Sequence, residues 1–228
     1  MNRLPAAAGK SSFDLIEQEA FFTALGLDGP LTVLDAGCGV GNYAMALAER
    51  IGPGGRVIGM DAWPEGIETL RRRAAERGMA QVEALLTDMH RGIPMEAASV
   101  DLCLMATVFH DLAQEGYSGE AISEISRVLK ADGRLAVVEF KRMDGPPGPP
   151  RKIRIGPNEL QGRLAPEGFA QIHTVSLGAF VYMSIFRKRQ APLEPVNDGW
   201  KRKTGQENRR PGRPKTGPAS DAGSERDG

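Results

Sequence analysis

The sequence predicts an α/β fold, a mostly parallel sheet of seven strands with helices on both faces and an antiparallel hairpin at its C-terminal end. From Leu31 onward, short apolar or β-branched runs alternate with amphipathic stretches, the rhythm of consecutive βαβ units. Runs such as DLCLMA at 101–106 are almost continuously apolar, which suits a strand covered on both faces. The last two runs, 170–177 and 180–187, are separated only by Gly178 and Ala179, a gap that an antiparallel hairpin closes.

Taken in order, SSFD at 11–14 followed by residues 15–25 reads as a capped amphipathic helix with Ser12 or Asp14 as its cap. Strands follow at 31–35, 56–61, 82–87, 100–106 and 134–140. Helices lie between them at 42–51, 64–78 and 120–130, with Gly78 and Gly133 as stop signals, and a further helix is expected at 158–164. The run DGPPGPP at 144–150 is a loop, because proline fixes φ and removes backbone donors. Residues 1–30 form an N-terminal cap region, 31–188 the main domain, and 189–228 a tail whose Pro, Gly and charge content predicts disorder.

With 228 residues, 41% of them apolar, the chain can bury one substantial core. Its 29 basic and 29 acidic side chains cancel, which argues against a surface built wholly to hold a polyanion. The balance is local in one place: residues 201–215 hold seven basic side chains against Glu207. The two cysteines, Cys38 and Cys103, predict no disulfide framework and a cytoplasmic setting, and no run reaches the ~20 apolar residues of a spanning helix. Two separated cysteines and three scattered histidines give no metal-ligand spacing, so no metal is expected.

The most informative stretch is LTVLDAGCGVGNY at 31–43, an apolar strand that ends in an acid and passes through Gly37, Gly39 and Gly41 into a helix. Dinucleotide sites use G-x-G-x-x-G to bring backbone donors to a pyrophosphate. Here Asn42 stands in place of the third glycine and Asp35 immediately precedes the loop, so the position repels a pyrophosphate and suits a cation. S-adenosylmethionine, with its ammonium and sulfonium, is such a ligand. Asp61 closes the second strand twenty residues after Gly41, where an acid accepts from ribose hydroxyls. Asp88 and Met89 follow the third strand, placed to meet an adenine. Cys38, Ala62 and Thr107 complete the expected cofactor-binding set.

On the residues VLDAGCGVG (33–41), GMD (59–61), TD (87–88), SVDL (99–102) and RVLKADGR (127–134), the chain resembles the class I S-adenosylmethionine-dependent methyltransferases, from about Ser11 to Lys188. Within them it is similar to the ubiquinone/menaquinone-biosynthesis C-methyltransferase-like group. The resemblance implies a Rossmann-like seven-stranded sheet with a reversed last strand, the cofactor S-adenosyl-L-methionine, and transfer of its methyl group to a small-molecule acceptor.

Methyl transfer depends on positioning, with a base needed only where the acceptor loses a proton. His110, delivered by the fourth strand to the carboxyl edge, is the candidate catalytic residue, with Asp111 as a possible partner. Tyr43 and Arg154 are candidate substrate contacts. Glu139, Lys141, Arg151 and Arg154 around the proline loop form a candidate grip on an anionic acceptor, with the loop as lid. His173, inside a strand-like run, reads as structural.

Two alternatives stay open. The tail run RRPGRPK at 209–215 is like part of a minor-groove hook and suits a nucleic-acid methyltransferase, although ATVF at 106–109 departs from the Asn/Asp-Pro-Pro-aromatic tetrad of base-amino enzymes. A nonenzymatic S-adenosylmethionine-binding protein would keep the glycine loop without a competent acceptor pocket. Deleting everything after Gln190 is expected to leave cofactor affinity unchanged in calorimetry.

Overall fold

Strand β1 (Thr32–Ala36) lies between β2 (Arg56–Asp61) and β4 (Val100–Ala106), so the sheet grows first one way and then the other from its middle. The seven strands run in the order β3-β2-β1-β4-β5-β7-β6, where β3 is Val82–Leu86, β5 Leu129–Phe140, β6 Phe169–Ser176 and β7 Val181–Lys188. The pairs β1·β2, β1·β4, β2·β3 and β4·β5 are parallel, whereas β7 is antiparallel to both β5 and β6. In such a sheet the reversal of strand order opens a crevice at the carboxyl ends of the two middle strands. Asp35 pairs with Gly59 of β2 and Leu104 of β4 at that point. The computed structural model describes residues 11–189; Met1 to Lys10 and the expected tail at 189–228, save Arg189 itself, lie outside the described residues.

Alternating side chains send the strands into two cores. Val33, Val57, Leu102, Leu104, Ala136 and Met183 pack under α1 (Gln18–Leu25), α2 (Asn42–Ile51) and α3 (Pro64–Glu76). Leu34, Ile58, Cys103, Met105, Leu135 and Phe186 pack under α4 (Phe109–Glu115), α5 (Ser118–Val128) and α6 (Pro157–Leu164). Helices thus cover both faces, as the apolar strands predict. The edge strands are the exception: β3 and β6 are only partly covered, with Leu86 and Ile172 about half exposed. His173 stands exposed on that second edge.

Helix ends follow local chemistry. Pro64 occupies the first turn of α3, where its missing N–H costs nothing, and left-handed Gly26 and Gly116 end α1 and α4. Five expectations are corrected. The helix expected over 15–25 begins only at Gln18 as α1, after a 3-10 turn at Phe13–Leu15, because the Glu17 N–H leaves the helix to donate to the Leu177 carbonyl at 2.9 Å. Neither Ser12 nor Asp14 caps α1; its N-cap is Glu17. Helix α4 stands where no helix is expected, and β5 begins at Leu129 rather than Arg134, with Gly133 inside a register shift rather than at a boundary. The hairpin link runs over four residues, 177–180, instead of two.

The glycine turn fixes how α2 meets the sheet. Gly41 has φ +81°, and a Cβ there would stand 2.3 Å from Leu70 Cδ1 in the packed core. Gly39 has φ +55° but nothing within 4 Å. Gly41→Ala is therefore expected to cost about 2–4 kcal/mol, left-handed strain plus overpacking. Gly39→Ala should cost only about 1 kcal/mol, and thermal unfolding of the two variants checks the contrast.

Candidate active site

The loop after β1 is held to the end of β2. The N–H groups of Gly37 and Cys38 donate to the Met60 carbonyl at 2.7 and 3.0 Å, and Gly41 N–H donates to the Cys38 carbonyl at 2.8 Å. Gly37 is tight for another reason: a Cβ there would lie 2.5 Å from Val108 Cγ2, so the segment after β4 passes directly against it. Of the three glycines, only Gly39 leaves open space above its backbone, room for a ligand rather than for packing.

Beneath this loop Asp35 is 1% exposed, and neither carboxylate oxygen has a hydrogen-bond partner. Burial pushes its pKa up to about 7; the Ala44 N–H in the first turn of α2 partly offsets this, and the neighbouring Asp61 charge adds to it. The Ala44 interaction falls short of hydrogen-bond geometry, so the carboxyl group remains unsatisfied. A buried acid without a partner is costly, and a cation placed against it removes that cost. Cys38, in the same loop, has its thiol pKa raised by burial and by the Asp35 and Asp61 charges, which leaves it a poor nucleophile. Burial and Asp35 do the same to Cys103; both cysteines are free.

Asp61 organises the crevice. Its Oδ2 accepts from Gly39 N–H at 2.8 Å and its Oδ1 from Trp63 N–H at 2.9 Å, which ties the glycine loop to the start of α3. Each oxygen keeps a second lone pair for a ligand hydroxyl. Ala62, next in sequence, is exposed. Asp88 Oδ1 meets His90 Nδ1 at 2.6 Å, and the His90 ring stacks on Tyr117 with centroids 4.0 Å apart. Met89 turns its side chain into the core under α4, α5 and α6 at 7% exposure, so its side chain presents little surface to the crevice.

Across the crevice Thr107 has φ +56°, a strained conformation for a β-branched residue. Its N–H donates to the Val138 carbonyl at 2.8 Å and its hydroxyl to the Ala106 carbonyl at 2.8 Å. Ser12 lies 3.2 Å from that hydroxyl and 3.0 Å from the Tyr43 hydroxyl, so the N-terminal turn is fastened over the carboxyl edge. Phe13 packs edge-on against the Tyr43 ring. Ser12 is 2% exposed, and the sequence suggests it only as a cap; its partners lie 31 and 95 residues away, beyond any local signal.

His110 lies in the first turn of α4, 5% exposed, and its partner is Glu139 rather than Asp111. Nδ1 lies 3.0 and 2.9 Å from the two Glu139 oxygens, whereas Nε2 stands 3.5 Å from Asp111 Oδ1. Glu139 also accepts from the backbone N–H of His110 at 3.0 Å and of Phe140 at 3.2 Å. Burial pulls the imidazole pKa down, but the Glu139 hydrogen bond and charge, with Asp111, outweigh burial and the opposing Arg154 charge and hold it above its ordinary value.

The four charges expected to grip an acceptor do not converge. Glu139 faces His110. Lys141 Nζ donates to Ser176 Oγ at 2.8 Å and the Gly178 carbonyl at 2.6 Å, and exposed Arg151 stands 3.6 Å from Asp144. Arg154, 2% exposed, donates to the carbonyls of Lys141, Gly145, Pro147 and Pro149 at 2.6 to 3.1 Å and lies over the Phe140 ring. It braces the proline loop from inside. Among the described residues no cluster of metal-ligating side chains occurs, and no helix is long and apolar enough to cross a membrane.

Comparison with known proteins agrees with this arrangement. The chain is 32% identical over 149 residues to nocamycin O-methyltransferase of Saccharothrix syringae, covering 62% of this chain and 49% of that protein. It is 35% identical over 122 residues to demethylmenaquinone methyltransferase of Thermus thermophilus, covering 54% and 50%. The matches thus span about half the length of these curated relatives. A crystal structure of a SAM-dependent methyltransferase from Aquifex aeolicus superposes with a TM-score of 0.70 at 26% identity, covering 77% of this chain and 91% of that one. The Methyltransferase domain family profile matches residues 27–185, and the chain accordingly belongs to the class I S-adenosylmethionine-dependent methyltransferases, resembling the menaquinone group among them.

Proposed function

We propose that the protein is an enzyme that transfers the methyl group of S-adenosylmethionine to a small-molecule acceptor in the cytoplasm. The observation that carries this reading is the unsatisfied, buried Asp35 carboxyl group beneath a glycine turn whose middle residue faces open space. The donor set fits the cofactor: Asp35 and the backbone of Gly37, Cys38, Gly39 and Gly41 would hold its aminoacyl end, and Asp61 with Ala62 the ribose. Asp88 and the Met89 backbone would meet the adenine, and Thr107 the edge beside the sulfonium. When bound, the cofactor supplies an electrophilic methyl group.

The protein's own share is placement and exclusion of water. The Asp61 bridge to Gly39 and Trp63 keeps the loop shaped before any ligand arrives, so little ordering cost remains at binding. The Ser12, Tyr43 and Thr107 hydroxyls close the edge from the N-terminal side. In this reading His110 would face the acceptor, with Tyr43 and Arg154 as its candidate contacts. Calorimetric titration with S-adenosylmethionine and S-adenosylhomocysteine tests the reading: saturable binding of both is expected, and absence of binding overturns it.

A further inference from the structure

Three hydroxyls form a chain along the carboxyl edge of the sheet, and the acceptor at one end sets its direction. Thr107 Oγ1 donates to the Ala106 carbonyl at 2.8 Å, so the Thr107 proton is committed there. Ser12 Oγ, 3.2 Å from Thr107 Oγ1, must then donate to it. That uses the one Ser12 proton, and the Tyr43 hydroxyl, 3.0 Å from Ser12 Oγ, must in turn donate to Ser12. Burial holds the Tyr43 phenol above its ordinary pKa; the Ser12 hydrogen bond only partly offsets this, and the Asp35 and Asp14 charges add to it. Tyr43 therefore keeps the proton that this order requires. The proton does not go to Asp35, because neither Asp35 oxygen has a hydrogen-bond partner. The Tyr43 oxygen accepts no hydrogen bond among the described residues, so its lone pairs stay open while its proton is turned away. Phe13 meets the Tyr43 ring edge-on at 5.0 Å and Phe21 lies 5.4 Å from it, which limits the ring's rotation. Tyr43 is 5% exposed, so little water competes for that oxygen, and a fixed dipole acts strongly on a charge in so dry a place.

We propose that Tyr43 reads the charge of the cofactor's sulfonium, its oxygen held as an acceptor by Ser12 and Thr107, so that the site prefers the methyl-loaded cofactor over the spent thioether. This rests on the methyltransferase reading above, in which Thr107 borders the sulfonium; Ser12 bridges Thr107 to Tyr43. Ser12 and Thr107 are positioning residues. Without the Ser12 hydroxyl the Tyr43 proton is released and free to turn toward the ligand, where the positive end of the O–H dipole repels a cation. Asp35 cannot make the same distinction, because the ammonium it suits is present in the loaded and the spent cofactor alike. The sulfonium charge is lost when the methyl group leaves, so the attraction to Tyr43 ends with the reaction. Exchange of spent for loaded cofactor is favoured as a result.

The test is calorimetry on full-length protein with three ligands that share the ammonium, the ribose and the adenine. S-adenosylmethionine and sinefungin, in which an amine-bearing carbon replaces the sulfonium, are cationic at the reacting position, and S-adenosylhomocysteine is neutral there. Tyr43→Phe is expected to weaken the two cationic ligands about fivefold to twentyfold and to leave S-adenosylhomocysteine within about twofold of the wild type. Ser12→Ala should give the same pattern, although it removes no atom proposed to touch the cofactor. A hydroxyl that merely fastens the N-terminal turn does not produce it, because a loosened turn weakens all three ligands alike. Retained affinity for S-adenosylhomocysteine shows that both variants fold. The proposal is overturned by equal losses for the three ligands, which would make the cluster a fastening or set Tyr43 against the ammonium. It is also overturned if the cationic ligands bind either variant as tightly as the wild type. Failure of S-adenosylhomocysteine to bind the wild type overturns the methyltransferase reading instead, and this proposal with it.

Discussion

Replacing Asp61 by alanine is expected to weaken S-adenosylmethionine binding by roughly thirty- to a thousandfold, corresponding to ~2–4 kcal/mol. Two losses combine. The first is the direct one, two ribose hydroxyls left without a charged acceptor. The second comes from the protein: the carboxylate accepts from Gly39 at 2.8 Å and Trp63 at 2.9 Å, so without it the glycine turn and the start of α3 lose their common anchor. Asp61→Asn separates the two, because its single amide oxygen can keep only one of those backbone bonds while its NH2 opposes the other donor. Calorimetry on both variants, with thermal unfolding of the ligand-free proteins, measures each part. An affinity for alanine within threefold of the wild type is incompatible with Asp61 as the ribose acceptor.

The cofactor half of this site is legible in the sequence because its chemistry lies in short, contiguous stretches. Asp35 and the three glycines fall within seven residues, and a carboxylate ahead of a G-x-G-x-G turn has a physical meaning wherever the strand places it. The acceptor half is not. Glu139 reaches His110 only because β4 and β5 pair in the register Ala106 to Val138, which sets the acid near the end of β5 beside the helix that follows β4. A cue exists, a lone acid ending the apolar run LAVV, but the nearer Asp111 is the more obvious partner. Helix α4 is hard to find because it has seven residues and Val108 as its N-cap, with no polar cap to announce it. Arg154 is hidden for a different reason. Its partners are four backbone carbonyls, and carbonyls leave no trace in a sequence, so a buried brace looks the same as a surface charge.

Asp35 gives the second large effect, a coupling between pH, stability and cofactor binding. Its folded-state pKa is raised from 3.8 to about 7, mainly by burial. Below pH 3.8 the carboxyl is protonated in both states and contributes no pH dependence. Between the two values the unfolded chain releases the proton while the folded protein keeps it, so stability falls as pH rises through this window and levels off above about 7. The width of that window, about three pH units, sets the ceiling at about 4 kcal/mol. Asp35→Asn removes this contribution, and the ligand-free variant should gain stability over the wild type progressively from about pH 4 to about pH 7 in thermal unfolding, on the order of 1–4 kcal/mol at the upper end. A cationic ligand reverses the balance, because an ammonium against the carboxylate favours the ionised form. Below about pH 7 binding must therefore expel the Asp35 proton, and affinity should rise up to about tenfold per pH unit until the group is ionised without help. Titrations in two buffers of different ionisation enthalpy should find close to one proton released per S-adenosylmethionine near about pH 5.5, and this component should vanish in Asp35→Asn along with much of the affinity. Equal proton release by wild type and variant would show that Asp35 is already ionised in the free protein, and that the buried carboxylate is stabilised by something other than the ligand.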